Sequence, residues 1–379
     1  MSKKRKIRVE LRKNRTKPPR ENTWTRGFQE HGFENDATQN EERVRAKGDL
    51  SRYRTITQEE GGPGIDDQGN FMPTIDETEC RFGRVLRVHG LASVVEAEDG
   101  KLYRCSVRRL LKSLQTEERS IVTTGDRVWF RPAPDDEGVI ERIEPRTGVL
   151  TRASRRREHV LVSNVDQLVI VMSLVEPDLK PHLIDRYLAS AQQGGISPIL
   201  CLNKADRIEA WRYQSLIGAY AQMGIPTLLT SATTGTGMDR LKELLKGRST
   251  VFSGQSGVGK SSLLNSIQPG LALRVKTVSD VNQKGRHTTT TAELIRLDLG
   301  GWVVDTPGIR EFQLWDIISE EVEGFFPEFR AYVHLCNFPD CSHTHEDKCA
   351  IKNALERHLI PARRYHSYIG MFTGSAREE

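Results

Sequence analysis

Gly254-Gln255-Ser256-Gly257-Val258-Gly259-Lys260-Ser261 fits the pattern GxxxxGK[ST], and Asn203-Lys204-Ala205-Asp206, which fits NKxD, stands upstream of it. The first pattern cradles phosphates. Its glycines leave room for successive backbone N–H groups to turn inward around them. Lys260 then supplies a point charge to the outer phosphates and Ser261 a hydroxyl to magnesium, and the helix opening there aims the positive end of its dipole at the ligand. The second pattern reads guanine, because Asp206 would accept from N1–H and the exocyclic amine, a pair of donors adenine does not present. A chain that binds guanine nucleotides in the usual order carries these motifs the other way round, so the sheet is entered at a different point.

The remaining motifs fill the same site. Asp305-Thr306-Pro307-Gly308 follows the apolar run Trp302-Val303-Val304. That places a carboxylate at a strand end, where it can hold magnesium through water, and the Gly308 N–H where it can meet a γ-phosphate. His287-Thr288-Thr289-Thr290-Thr291 lies between the two phosphate-side motifs, where a magnesium-sensing threonine is needed; Thr289 is assigned that role, with its neighbours left as alternatives. Ser231-Ala232, after Pro226-Thr227-Leu228-Leu229, would close the base pocket. Taken singly, these motifs also read as a polar loop, a turn and a strand edge. Together, each beside a suitable apolar run, they point to a guanine nucleotide.

The apolar runs Leu168–Met172, Ile199–Leu202, Thr227–Leu229, Thr250–Phe252 and Trp302–Val304 suit buried parallel strands. Helical patterns such as Leu183-Ile184-Tyr187-Leu188-Ala191 and Leu241-Leu244-Leu245 separate several of them, which predicts a doubly wound α/β sheet with its ligand at the carboxyl ends of the strands. Upstream, five short β-like pieces, Arg84–Val88, Ser93–Glu96, Leu102–Cys105, Arg127–Phe130 and Val139–Ile143, predict a small barrel of the oligonucleotide-binding type. Arg84, Arg87, Arg104, Arg108 and Arg109 interleave with them and suit a nucleic-acid backbone, or equally a solvated basic face.

Downstream, Cys336-x4-Cys341-x-His343-x5-Cys349 gathers three of the six cysteines with one imidazole. Soft sulfur with one nitrogen, and no spare carboxylate in the pattern, suits one structural zinc ion. His345 is an alternative fourth ligand. No leader segment is read at the start, so reducing cytoplasm and free thiols are expected in place of disulfides.

Between Met1 and Arg20 ten Lys and Arg residues face one acid, Glu10, which predicts a disordered, phosphate-seeking arm; the segment from Glu21 to about Thr78 reads as linker. The net charge of +5 is modest, so the remainder is near neutral and its partner meets particular surfaces. No apolar run is long enough to cross a membrane. The domain division expected is 1–79 arm and linker, 80–147 barrel, 148–314 permuted nucleotide domain and 315–379 zinc-binding domain.

These features resemble the bacterial RsgA family of circularly permuted GTPases. The resemblance runs from about Arg81 onward and includes Asn164-Val165-Asp166-Gln167, Asp185-Arg186-Tyr187-Leu188, Gly254 to Ser262, Gly285 to Thr290, Asp305 to Phe312 and the Cys/His cluster. It implies GTP hydrolysis to GDP, stimulated by the small ribosomal subunit and its rRNA and coupled to release of assembly factors or of the enzyme. It implies a cytoplasmic monomer with no membrane partner. It places guanine on Asn203, Lys204 and Asp206, phosphates and magnesium on Gly254, Gln255, Ser256, Gly257, Val258, Gly259, Lys260, Ser261 and Ser262, and zinc on Cys336, Cys341, His343 and Cys349. Two other readings fit the same motifs: a GTP-gated RNA-binding module without remodelling, and a GTPase acting on another RNA such as tRNA.

One position departs from Ras-like enzymes. Where a glutamine would orient the attacking water, this chain has Ile309, whose aliphatic side chain cannot. His287 is the candidate replacement, a choice the resemblance supports, and Lys260 and Asp305 complete the expected catalytic set.

Overall fold

The computed structural model describes residues 4–10, 53–59, 73, 75–108, 111, 121–154, 157–271, 292–305 and 319–374. Among them, no helix is long and apolar enough to cross a membrane.

The barrel consists of β3 (Arg81–His89), β4 (Ala92–Ala97), β5 (Leu102–Val107), β6 (Arg127–Pro132) and β7 (Glu137–Ile143). Burial alternates along β4 and much of β3, β5 and β6, while β7 buries Ile140, Glu141 and Arg142 in succession. In β4, Ser93, Val95 and Ala97 face inward while Ala92, Val94 and Glu96 do not. The order β3-β4-β5-β7-β6 closes through β6 back onto β3, and β5 and β7 pair in parallel. This is the closed five-strand arrangement expected of the oligonucleotide-binding fold, filled by Val85, Val95, Tyr103, Val128, Phe130 and Ile140.

A hairpin, β8 (Leu150–Ser154) with β9 (Arg157–Val162), follows and leads into the nucleotide sheet. That sheet holds β10 (Gln167–Ser173), β11 (Ser197–Asn203), β12 (Thr227–Leu229), β13 (Ser249–Ser253), β14 (Glu293–Arg296) and β15 (Trp302–Asp305), in the order β12-β11-β10-β13-β15-β14. All neighbours are parallel except the β14–β15 pair. Every residue of β10 and β13 is buried, which explains why these strands read as unbroken apolar runs with no alternation. Helices α1 (Pro181–Gln193), α2 (Gln214–Gln222), α3 (Met238–Leu245) and α4 (Lys260–Ile267) cover the two faces. Helix α1 opens on Pro181, whose fixed φ suits a first turn, and buries Ile184, Tyr187, Leu188 and Ala191, the stripe expected from the sequence. Burying side chains such as Ile170 and Leu200 contributes about 1.5–3 kcal/mol each.

From β10 the chain passes through α1 to β11 on one side and later returns to β13 on the other. The winding reverses between β10 and β13, and in such sheets ligands bind outside the carboxyl ends of the strands at that point. The barrel joins the far edge of the sheet, since β3 pairs with β14 at Arg87 and Glu293.

The carboxy-terminal part contains α5 (Ser319–Val322), α6 (Ala350–Glu356), α7 (Ala362–Phe372) and several 3-10 turns around a core of Val322, Phe326, Phe329, Ile351, Ile360 and Tyr368.

Of the region expected as arm and linker, residues 11–52 and 60–72 lie outside the described residues. Lys4–Glu10 forms β1 and Tyr53–Glu59 forms β2, paired antiparallel with Ile7 opposite Ile56. The charge run hid a strand pattern. Ile7 and Val9 alternate with Lys6 and Arg8, and β2 carries Tyr53, Thr55, Ile56 and Thr57, residue types that favour strands.

Candidate nucleotide site and metal centre

The glycine-rich loop leaves β13 and enters α4. Gly254 has φ +145°, and a Cβ there would lie 2.0 Å from the Val171 carbonyl oxygen. Gly259 has φ +97°, and a Cβ there would lie 2.3 Å from Asn203 Nδ2. Side chains are excluded at both places by backbone conformation and by space. Val258 points the other way and is fully buried, which pins the loop to the core. Gln255 is half-buried, while Ser256, Gly257, Ser261 and Ser262 are exposed at the mouth. The Lys260 ammonium donates to the carbonyls of Gly254 (2.6 Å) and Gln255 (2.7 Å), so the charge is held over the loop that would wrap phosphates.

The guanine-reading segment ends β11 and touches this loop directly. Asn203 is buried, and its Nδ2 donates to the Val258 carbonyl at 2.8 Å while Thr230 Oγ1 donates to its Oδ1 at 3.3 Å. Lys204 takes a left-handed conformation, φ +62°, and its ammonium donates to the Glu176 carbonyl. Asp206 is exposed, and a hydrogen bond from the Ser231 hydroxyl holds its carboxyl below the usual carboxylate range. Ser231 itself is buried; its N–H donates to the Thr236 carbonyl at 3.0 Å, and Ala232 follows it. Three stretches far apart in sequence thus meet at the carboxyl ends of β11, β12 and β13. Asp305 ends β15 beside them, its backbone paired with Glu293. His287, Thr289 and Gly308 lie outside the described residues.

The motif Asn164-Val165-Asp166-Gln167 bonds elsewhere. Asn164 Oδ1 accepts from the Thr147 N–H at 3.1 Å, and its Nδ2 donates to the Gly125 carbonyl at 3.0 Å. Asp166 Oδ2 accepts the Ser249 N–H at 2.6 Å, and Gln167 Nε2 donates to Thr250 Oγ1 at 2.8 Å. Asn164 thus fastens the barrel to the segment leading into β10, while Asp166 and Gln167 tie the root of β10 to β13.

The second site is local in sequence. One donor atom each from Cys336, Cys341, His343 and Cys349 lies within 4.8 Å of every other. Cys336 Sγ is 3.6 Å from His343 Nδ1, Cys349 Sγ is 3.4 Å from the same nitrogen, and the two sulfurs are 4.0 Å apart. A tetrahedral ion with metal–sulfur bonds of ~2.3 Å and a metal–nitrogen bond of ~2.0 Å requires edges of about 3.5–3.8 Å, so the donor set fits one ion of that kind. Burial pushes the Cys341 thiol up to about 12, an environment in which a thiolate needs a cation beside it. His343 is fully buried, whereas the alternative ligand His345 has an 85% exposed side chain and its Nδ1 is 2.9 Å from the Thr344 hydroxyl, so His345 is not part of the cluster. Tyr365 and Tyr368 brace the ligand loop by donating to the carbonyls of His343 (2.7 Å) and Ser342 (2.8 Å).

Two further groups escape sequence reasoning. Arg364 of α7 is buried and donates to Asp185 of α1 at 2.7 Å and to Glu328 at 2.6 Å, and Tyr220 also donates to Asp185 at 2.8 Å. Its signals in the sequence are Asp185 within Asp185-Arg186-Tyr187-Leu188, one of the stretches that carry the resemblance, and the place of that acid in the apolar stripe of α1. Glu323, whose Oε2 lies 3.1 Å from His343 Nε2, gave none.

A family model described as RsgA GTPase matches residues 143–315. A protein of Photorhabdus laumondii named small ribosomal subunit biogenesis GTPase RsgA is 38% identical over 331 residues, covering 84% of this chain and 90% of the relative. Among solved structures, the chain is similar to YjeQ from Thermotoga maritima, at 34% identity and a TM-score of 0.63 over 79% of this chain and 100% of that one. It is similar also to YloQ, described as a circularly permuted GTPase, at 29% identity and a TM-score of 0.60 over 81% and 99% of the two chains. With the permuted strand order and the closed barrel already in place, the chain belongs to the RsgA family of circularly permuted GTP hydrolases.

Proposed function

We propose that this GTPase binds the small ribosomal subunit and its rRNA late in assembly, hydrolyses GTP when the subunit stimulates it, and couples hydrolysis to release of assembly factors or of itself. The observation that carries this reading is the wiring of the permuted sheet. Strand β14, which follows the threonine-rich interval, pairs with the barrel, and the chain leaving Asp305 at the end of β15 runs on into the Cys/His unit. A barrel carrying the exposed Arg87 and Arg104 and the Cys/His unit therefore flank the two nucleotide-sensing intervals in the chain, an arrangement suited to reporting nucleotide state to a large RNA surface. The relatives' names supply the subunit.

In this reading Asp206, Asn203 and Lys204 select guanine with Ser231 and Ala232 behind them. Gly254 to Ser262 wrap the phosphates, with Lys260 as the point charge. Ser261, Thr289 and Asp305 hold magnesium, which when bound spreads the developing charge of the phosphoryl group. Cys336, Cys341, His343 and Cys349 hold one structural zinc ion. The working divisions are 80–147 for RNA contact, 148–314 for the nucleotide and 315–379 for the metal unit, in a cytoplasmic monomer. His287 orients the attacking water that Ile309 cannot, so His287→Ala is expected to keep GTP and subunit binding and to lose stimulated turnover; full stimulated turnover would remove His287 from the mechanism.

Co-sedimentation with purified small subunits tests the function. Retention with a non-hydrolysable GTP analogue and loss with GDP is the expected pattern. Equal retention with both, or tighter binding to free RNA than to subunits, would contradict it.

A further inference from the structure

Resting on the reading of the Cys/His cluster as a metal centre, we infer that Glu323 is a positioning residue of that centre, which selects Nδ1 of His343 as the metal ligand and ties the centre to helix α1 of the nucleotide domain. A carboxylate accepts hydrogen bonds and does not donate them, so the 3.1 Å contact between Glu323 Oε2 and His343 Nε2 puts the imidazole proton on Nε2. That leaves the lone pair on Nδ1, which is the nitrogen facing the sulfurs of Cys336 and Cys349 at 3.6 and 3.4 Å. A neutral imidazole has one such lone pair, and the outer hydrogen bond determines where it lies.

The ring has little freedom to compensate. It is fully buried, edge-on to Phe329 at 6.0 Å between centroids, and 5.9 Å from the ring of Tyr368. Nor is Glu323 an incidental neighbour. It opens a 3-10 turn, Glu323–Phe325, that continues α5, and the carbonyl of the adjacent Gly324 accepts Gln192 Nε2 from the last turn of α1 at 3.3 Å. The residue that orients the histidine is thereby held next to the nucleotide domain, 20 positions in sequence from its partner.

The test uses the full chain loaded with zinc, read by competition with a chromophoric chelator, with the visible spectrum of the cobalt-substituted protein as a second readout. Glu323→Ala is expected to weaken zinc binding by about 10–100-fold and to shift the cobalt spectrum, while Glu323→Gln, whose amide oxygen still accepts from Nε2–H, recovers most of the affinity. Melting of the metal-free proteins distinguishes a folding defect, and the three chains are expected to melt alike. Wild-type zinc affinity and an unchanged cobalt spectrum in Glu323→Ala would overturn the inference and leave the metal centre standing. Absence of stoichiometric zinc from the wild-type chain would overturn the metal centre itself.

Discussion

The barrel meets the nucleotide sheet through many main-chain and side-chain bonds spread along one edge, whereas the carboxy-terminal helices meet it around a buried knot of charged side chains. On the barrel side, β3 pairs with β14, the Ser163 N–H donates to the Thr124 carbonyl at 3.0 Å, Asn164 Nδ2 donates to the Gly125 carbonyl at 3.0 Å, and Arg84 donates to the Asn164 carbonyl at 2.8 Å. One fully buried carboxylate, Asp126, closes this junction: it accepts Arg146 through two nitrogens at 2.8 and 3.0 Å, the Ser163 hydroxyl at 2.6 Å and the Thr123 N–H at 2.7 Å. On the other side Arg364 spans the gap, held by Asp185 from the nucleotide domain and Glu328 from its own, with its guanidinium 4.3 Å above the Phe326 ring, and Gln192 Nε2 of α1 adds a 3.3 Å bond to the Gly324 carbonyl. A junction spread over many partners resists sliding and rotation together. A charged knot with one peripheral hydrogen bond fixes few points and leaves the surrounding apolar packing to set the angle. The barrel should therefore move with the nucleotide sheet, and the metal unit should be the part that can let go.

The largest effect is expected from Asp126→Ala. It removes the carboxylate that pairs with the largely buried Arg146 side chain, and removing one partner of such a pair costs about 3–5 kcal/mol. Thermal melting should show a large loss together with loss of amide protection in both the barrel and β10. Loss confined to the barrel would mean that the two do not form one unit. Next comes Arg364→Ala, at roughly 3 kcal/mol, because Asp185 stays buried with only the Tyr220 hydroxyl to satisfy it. Hydrogen exchange should rise in α7 and the Cys/His unit while β10 to β13 remain protected. Pairing Arg364→Met with Asp185→Asn should recover most of the loss, since replacing both buried charges is often nearly neutral. The smallest effect is Thr124→Val, which deletes the 2.7 Å bond from Thr124 Oγ1 to the Ala292 carbonyl while keeping the shape of the side chain, and should cost about 1 kcal/mol. An effect as large as that of Asp126→Ala would show that the edge at β14, and not the carboxylate, carries the barrel junction.

The same contrast governs what could be read from the sequence. The phosphate loop, the guanine motif and the cysteine cluster are each contiguous, because a backbone cradle or a metal knuckle needs its residues at fixed short spacing. The buried parallel strands were legible for a related reason: burial on both faces leaves unbroken apolar runs such as Leu168–Met172. The junctions were not legible. Asp185 and Arg364 are 179 positions apart, Asp126 and Ser163 are 37 apart, and nothing in the spacing of a lone Asp or Arg announces a partner in another domain. Strand β1 was missed because its charges outnumber the two β-branched residues that pair it. Only the exposure of His345 beside the burial of His343 decides the fourth ligand, since both imidazoles stand within the cluster's sequence.

The most direct measurement is GTP turnover by the purified full chain, alone and with small subunits, large subunits or free rRNA in parallel. Slow turnover alone with strong stimulation by small subunits only is the expected result, because a site without a glutamine at Ile309 depends on outside order to position its water. Equal rates in all four conditions would contradict it, leaving a GTPase whose partner is something other than the small ribosomal subunit.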